Sequence, residues 1–338
     1  MANFDRVLAR RLLECCRYAN EIGISGSIHD ANLKQELMAS ISPAGHPLSV
    51  DPVVLKPNLT SVACIFCYAD HNVVAYMGTK TDFDHPQSRF ASIADWLQNL
   101  EAIPVPFQLS AAQLGGSGSQ AVNLGGKVHE GFLEEMAAVH PGVVATLMGH
   151  GGKQKKLLVT GHSQGGAEAA LATRAFDHSG FPVAATYTFA APRPGDREFV
   201  KAVSSTIPVH RLEFGDDLVP HVPPAMLSQS AREIVGTLGA LPFLSKDTRL
   251  LLEMLQRGGK IEYAALGNLC YGSNKTKALR TDLSPDQENA LFMDRLWSLI
   301  RHPERWSDHH ALAGTKDERS RGVKGNYTAL VSDFTLVT

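Results

Sequence analysis

Lys155-Lys156-Leu157-Leu158-Val159-Thr160-Gly161-His162-Ser163-Gln164-Gly165-Gly166-Ala167, continuing through the alanine-rich run Glu168 to Phe176, is the stretch that decides the fold. Leu157 to Thr160 is β-prone and Ala167 to Ala175 is not, so it reads as a short strand, a turn centred on Ser163 and a helix. A strand that turns at once into a helix forces Ser163 into a strained backbone conformation. The two elements approach that closely only where Gly161 and Gly165 carry no Cβ. Gly166, Ala167, Ala169 and Ala170 extend the same small-residue surface. Oγ of Ser163 then stands clear of the backbone at a helix N-terminus that stabilises developing negative charge, which makes Ser163 the candidate nucleophile.

Around this stretch the chain has 338 residues, 44% hydrophobic and 20% charged, which suits a globular protein with a full core. Its 32 basic and 34 acidic residues give a net charge of −2, without the basic footprint of a nucleic-acid binder. No run approaches the roughly 18 consecutive apolar residues of a membrane span. Asp5, Arg6, Arg10, Arg11 and Glu14 interrupt the N-terminal apolar residues, so Met1 to Cys16 reads as an amphipathic helix and not as a signal peptide. The expectation is a cytoplasmic protein, or a secreted one whose leader is absent from this sequence. The five cysteines have no framework spacing, and Cys64 and Cys67 should point to opposite faces of one strand. No metal site and no cofactor are expected.

The remaining chain alternates strands with helices. Helical spacing covers 2–22, 87–100 and 128–144; strands are expected at 61–68, 73–77, 184–189 and 209–214, with a short helix at 196–204. Gly115 to Gly126 has no phosphate-cradle ending and reads as a loop. This rhythm implies one α/β domain over 1–338, a largely parallel sheet with helices on both faces, and chemistry beyond the carboxyl ends of the strands. At about 225–306 the rhythm breaks into a helical insertion, with one strand expected over 260–271. Ser284-Pro285-Asp286-Gln287 opens its last helix with a capping box.

A serine hydroxyl needs a histidine to take its proton, and the imidazole needs a carboxylate to fix its tautomer. In the fold that uses a G-x-S-x-G elbow, the acid follows the serine and the histidine comes last. Asp217 lies just past the strand 209–214, with Asp216 as its close competitor, and Asp308-His309-His310 supplies the base. His129, His162, His210 and His221 precede or crowd the acid and read as structural.

Gly161-His162-Ser163-Gln164-Gly165-Gly166, Val128-His129-Glu130-Gly131-Phe132, Ala191-Pro192-Arg193-Pro194-Gly195 and Asp217-Leu218-Val219-Pro220 resemble, in order and spacing, the class 3 lipases of the α/β-hydrolase superfamily. The resemblance runs from about residue 55 to 224. It implies that Asp217 is the acid, and that Thr79 and the backbone N–H of Gln164 are the oxyanion donors. Met77 departs from it, since an arginine usually stands there. It also implies an amphipathic lid bounded by 87–100, and a histidine a few residues before a tyrosine. Here Tyr327 is well removed from the histidine pair, a gap that a polar insertion over 314–325 would explain; the resemblance favours His309, with His310 in reserve.

The expected function is therefore a serine ester hydrolase, a lipase acting on acylglycerols at an oil–water or membrane interface. Phospholipase A1 and feruloyl or short-chain carboxylesterase activities share this chemistry. A non-catalytic lipase-like interaction protein is the reading from another class, disfavoured by the complete set of triad elements.

Overall fold

Residues 157 to 162 are buried at every position, the signature of a strand covered on both faces. In the computed structural model the described residues are 3–25, 47–54, 62–79, 104–205, 207–223, 229–242, 244, 248–249, 252–253, 255–256, 262–302, 309–311 and 326–338. In chain order they form α1 (Arg6–Ser25), β1 (Ser49–Val54), β2 (Val62–Cys67), β3 (His71–Tyr76), β4 (Pro104–Ser110), β5 (Ala121–His129) and α2 (Glu130–Gly149). Then follow β6 (Lys156–His162), α3 (Gln164–His178), β7 (Val183–Phe189), β8 (Gly195–Asp196), α4 (Arg197–Ser204), β9 (Val209–Phe214) and α5 (Gln229–Gly239). The chain closes with β10 (Tyr263–Ala264), β11 (Asn268–Ser273), β12 (Ala278–Arg280), α6 (Pro285–Arg301), α7 (Asn326–Asp333) and β13 (Thr335–Val337).

The main sheet has the order β1-β2-β3-β6-β7-β9-β11-β12-β13. Its centre, from β3 through β11, is parallel, and β1, β2 and β12 join it antiparallel. Period-two alternation divides the core between its faces: Ala63, Ile65 and Cys67 of β2 pack in one apolar cluster, Val62, Cys64 and Phe66 in the other. Cys64 and Cys67 thus lie on opposite faces, as their spacing requires. The helix α1 covers the second face with Leu12, Cys16, Ala19 and Ile22, while α2 and α3 cover the first. Asp5 caps the start of the helix, its carboxylate accepting the N–H groups of Val7 and Leu8, and Val7 is 69% exposed.

Two departures from the sequence reading follow from backbone pairing. Gly115 to Gly126 is not all loop, for β5 begins at Ala121 and pairs with β4 and β8 in a four-stranded antiparallel sheet. The helix expected at 128 starts at Glu130, because Val128 and His129 belong to that strand. Within 225–306, α5 and α6 are helical as expected, but β11 is the next parallel strand of the main sheet beside β9. Ser284 and Gln287 form the expected capping box. Residues 87–100 and 314–325 lie outside the described residues.

Helix α2 carries a buried histidine with a measurable consequence. The ring of His140 is fully buried against Phe176, and neither nitrogen has a hydrogen-bond partner among the described residues. Burial lowers its pKa from 6.5 to about 4. Below pH 6.5 the unfolded chain takes up a proton that the folded one refuses, so stability falls as pH drops from 6.5 toward 4. At about 1.4 kcal/mol per pH unit, this interval is worth at most about 3 kcal/mol. His140→Leu is expected to shrink the difference between the urea midpoints at pH 7 and pH 4.5; an undiminished difference would contradict this.

Candidate active site

Three strands of the main sheet end on one edge, and each delivers one part of the site. The turn after β6 places Ser163 at φ 55, ψ −131, a conformation that costs a non-glycine residue energy and that the packing enforces. A Cβ on Gly161 would collide with the Gly165 carbonyl, and one on Gly165 with the carbonyls of Tyr76 and Met77. Both glycines are thus fixed by close approach, as their spacing implied. The turn after β9 carries Asp217, and the turn after β3 carries Thr79.

His310, not His309, meets the serine. His310 Nε2 lies 2.8 Å from Ser163 Oγ, and its Nδ1 lies 3.0 and 3.2 Å from the two oxygens of Asp217. With Nδ1–H donating to the carboxylate, Nε2 is left to accept the serine proton. Ser163 is 6% exposed, His310 1% and Asp217 fully buried. The carboxylate also accepts from the Tyr327 hydroxyl at 2.9 Å and from the Val219 N–H at 3.0 Å. Tyr327, far from the histidine in sequence, is thereby brought onto the acid. His162, whose burial lowers its pKa well below 6.5, is neutral and donates from Nε2 to the His310 carbonyl at 2.9 Å.

His309 projects elsewhere. Its Nδ1 accepts the Asp216 N–H at 2.7 Å, and its ring packs edge-on against Phe214. Asp216 turns its carboxylate to the Ser298 hydroxyl at 2.7 Å, so it braces the loop and leaves the histidine pairing to Asp217.

On the oxyanion side, Thr79 donates its hydroxyl to Gln164 Oε1 at 2.7 Å. The Thr79 hydroxyl proton is thereby engaged. Gln164 Nε2 in turn donates to Glu135 at 2.5 Å and to Glu168 at 3.0 Å. Met77 is 3% exposed in the apolar cluster under α1, and the turn after it is held instead by Asn20, whose Oδ1 accepts the Gly78 N–H at 2.9 Å.

Asn20, Glu135, Glu168 and Tyr327 went unremarked or unassigned in sequence. Only Glu168 carried a signal, as the one charged residue in the small-residue run 165–173. Arg295 is also new: fully buried on α6, it donates from Nε to the Gly215 carbonyl at 3.0 Å and from Nη1 to Glu213 at 2.7 Å, bracing the acid loop. At the other end of the sheet Asp51, Cys67 and His150 bring ligand atoms within 4.8 Å of one another. There His150 Nε2 lies 2.9 Å from a carboxylate oxygen of Asp51. Among the described residues no helix is long and apolar enough to cross a membrane.

A strained serine after a parallel strand, an acid after a later strand and a histidine beyond both follow the chain order of the α/β-hydrolase fold. Residues 88–227 match the family described as lipase (class 3). A lipase of Rhizomucor miehei is 34% identical over 142 residues, 40% of this chain and 36% of that protein. Secreted mono- and diacylglycerol lipase 1 of Fusarium solani is 38% identical over 100 residues, 29% of this chain and 30% of its own length. The chain thus spans about a third of the length of these relatives. The solved triacylglyceride lipase of Rhizomucor miehei superposes with a TM-score of 0.53 over 86% of this chain and 91% of that one, at 20% identity, and shares the fold.

Proposed function

We propose that the chain is a serine ester hydrolase that cleaves acylglycerol carboxylic esters through an acyl-enzyme intermediate. The observation that carries this reading is the continuous hydrogen-bonded line from Asp217 through His310 to Ser163. Ser163 Oγ attacks the ester carbonyl carbon while its proton passes to His310 Nε2. Asp217 stabilises the imidazolium that forms and keeps its Nδ1–H oriented. The carbonyl oxygen takes the electron pair and becomes an oxyanion held by the N–H groups of Thr79 and Gln164. Collapse breaks the bond to the alcohol, which leaves with the proton from His310. Water then attacks the acyl-enzyme by the same steps, returning its proton through His310 and releasing the fatty acid.

The match of residues 88–227 to the class 3 lipases supports a lipid ester as substrate, whereas head group and chain length are read by the groove and not by the triad. Hydrolysis of p-nitrophenyl butyrate, emulsified tributyrin, emulsified triolein and phosphatidylcholine vesicles separates the possibilities. Turnover of the glyceride emulsions is expected, together with stoichiometric phosphorylation of Ser163 by diethyl p-nitrophenyl phosphate, read as a mass shift on its peptide. Turnover confined to the vesicles would mean a phospholipase A1, and turnover confined to the soluble ester a carboxylesterase. No turnover and no labelling would overturn the reading and favour a non-catalytic role.

A further inference from the structure

Gln164 occupies the position after the nucleophile, where only the backbone N–H is needed for catalysis, yet its side chain makes three hydrogen bonds. Its carbonyl accepts the Thr79 hydroxyl, and its amide nitrogen donates to carboxyl oxygens of both Glu135 and Glu168. The three partners come from three elements: the turn after β3, the helix α2 and the helix α3 itself. Reversing the amide would place its carbonyl against two carboxyl groups and its NH₂ against a hydroxyl that now donates to it, so one orientation is strongly preferred. Glu168 is 1% exposed, on a helix turn otherwise built of glycine and alanine, where a long acidic side chain is costly unless it has a partner.

We propose that Glu135 and Glu168, acting through the side-chain amide of Gln164, are positioning residues that hold the two oxyanion donors at their working separation. The inference rests on the reading of Ser163 as nucleophile and of Thr79 and Gln164 as donors. The turn bearing Thr79 is tethered twice, by Asn20 to the Gly78 N–H and by Gln164 to the Thr79 hydroxyl. The second tether crosses from that turn to the elbow, so it sets the distance between the two N–H groups. Burial raises the pKa of Glu168, with the Glu135 carboxylate adding to it, and burial also raises Glu135. A protonated carboxyl still offers its carbonyl oxygen to the amide, so the tether does not need two full negative charges in the interior.

The experiment compares kcat and KM of Gln164→Leu, Glu168→Leu and Glu168→Gln for p-nitrophenyl butyrate, with the rate of phosphorylation by diethyl p-nitrophenyl phosphate measured on each. Gln164→Leu keeps the backbone donor and the volume but removes the tether. Its kcat is expected to fall by about 10- to 100-fold with KM within about twofold, since a displaced donor weakens transition-state binding alone. Glu168→Leu should lose about tenfold, and Glu168→Gln, whose amide oxygen still accepts from Gln164, should recover to within about threefold of the wild type. If Gln164→Leu keeps its kcat, or if Glu168→Gln is as impaired as Glu168→Leu, the inference is overturned. Should Gln164→Leu not fold, the contrast between the two Glu168 variants decides alone. A wild-type protein that neither turns over nor is phosphorylated would bring down the underlying reading; an active wild type with unaffected variants brings down only the tether.

Discussion

Replacing His310 by alanine is expected to lower kcat for p-nitrophenyl butyrate by about 10⁵- to 10⁶-fold, and Ser163→Ala by the same amount, because members of one proton-transfer unit fail together. The double variant should be no worse than either single one. Asp217→Asn should cost about 10⁴-fold, since the amide can present an N–H to His310 Nδ1 and fix the wrong tautomer. His309→Ala, by contrast, removes an acceptor for the Asp216 N–H, an edge contact to Phe214 and a 3.9 Å approach to the Asp216 carboxylate. Its cost should stay within about tenfold. Steady-state kinetics on the five variants would decide, and a His309→Ala enzyme as dead as His310→Ala would refute the assignment drawn from geometry.

That choice between neighbours explains what a sequence displays and what it conceals. The elbow was legible because each of its requirements is local: a β-prone run, two glycines at points of backbone collision, and small residues after them. Asp217 was legible by position, following the last buried residues of β9. The histidine was not, since consecutive residues of a helical turn project about 100° apart and only packing against β6 and β9 decides which one faces the serine. Tyr327 was hidden for a related reason. It reaches Asp217 only because α7 returns under the loop, a contact spanning 110 positions. The smaller sheet was missed because glycines read as loop; Gly125 and Gly126, with φ of 94° and 73°, are instead accommodated within β5. Glu135 and Glu168 concealed their role most fully, because a shared donor on Gln164 is a three-dimensional fact.

Arg295→Leu should destabilise the protein by about 3 kcal/mol at neutral pH, because it strands a buried carboxylate. Glu213 is 2% exposed, and burial alone would raise its pKa, but Arg211 and Arg295 beside it override burial and hold it at about 2. A carboxyl depressed in this way contributes stability above its ordinary pKa near 4.5, and that contribution is lost as pH falls through about 2. In the variant, Glu213 keeps Arg211 but loses the partner that also binds the Gly215 carbonyl and His221. Its pKa must climb, so the gap in urea midpoint between wild type and variant should be widest near pH 7 and narrow toward pH 4. Arg295→Lys should not restore the loss, for one ammonium group cannot donate to Glu213 and to the Gly215 carbonyl in the planar geometry of a guanidinium. Exchanging both charges, as Glu213→Leu with Arg295→Met, should recover much of it, because a well-packed apolar pair replaces an ion pair whose desolvation was costly. Since Arg295 holds the loop that presents Asp217, Arg295→Leu should also lower kcat where it remains folded. Urea midpoints that do not differ between wild type and Arg295→Leu at pH 7 would show that the acid loop stands without this brace.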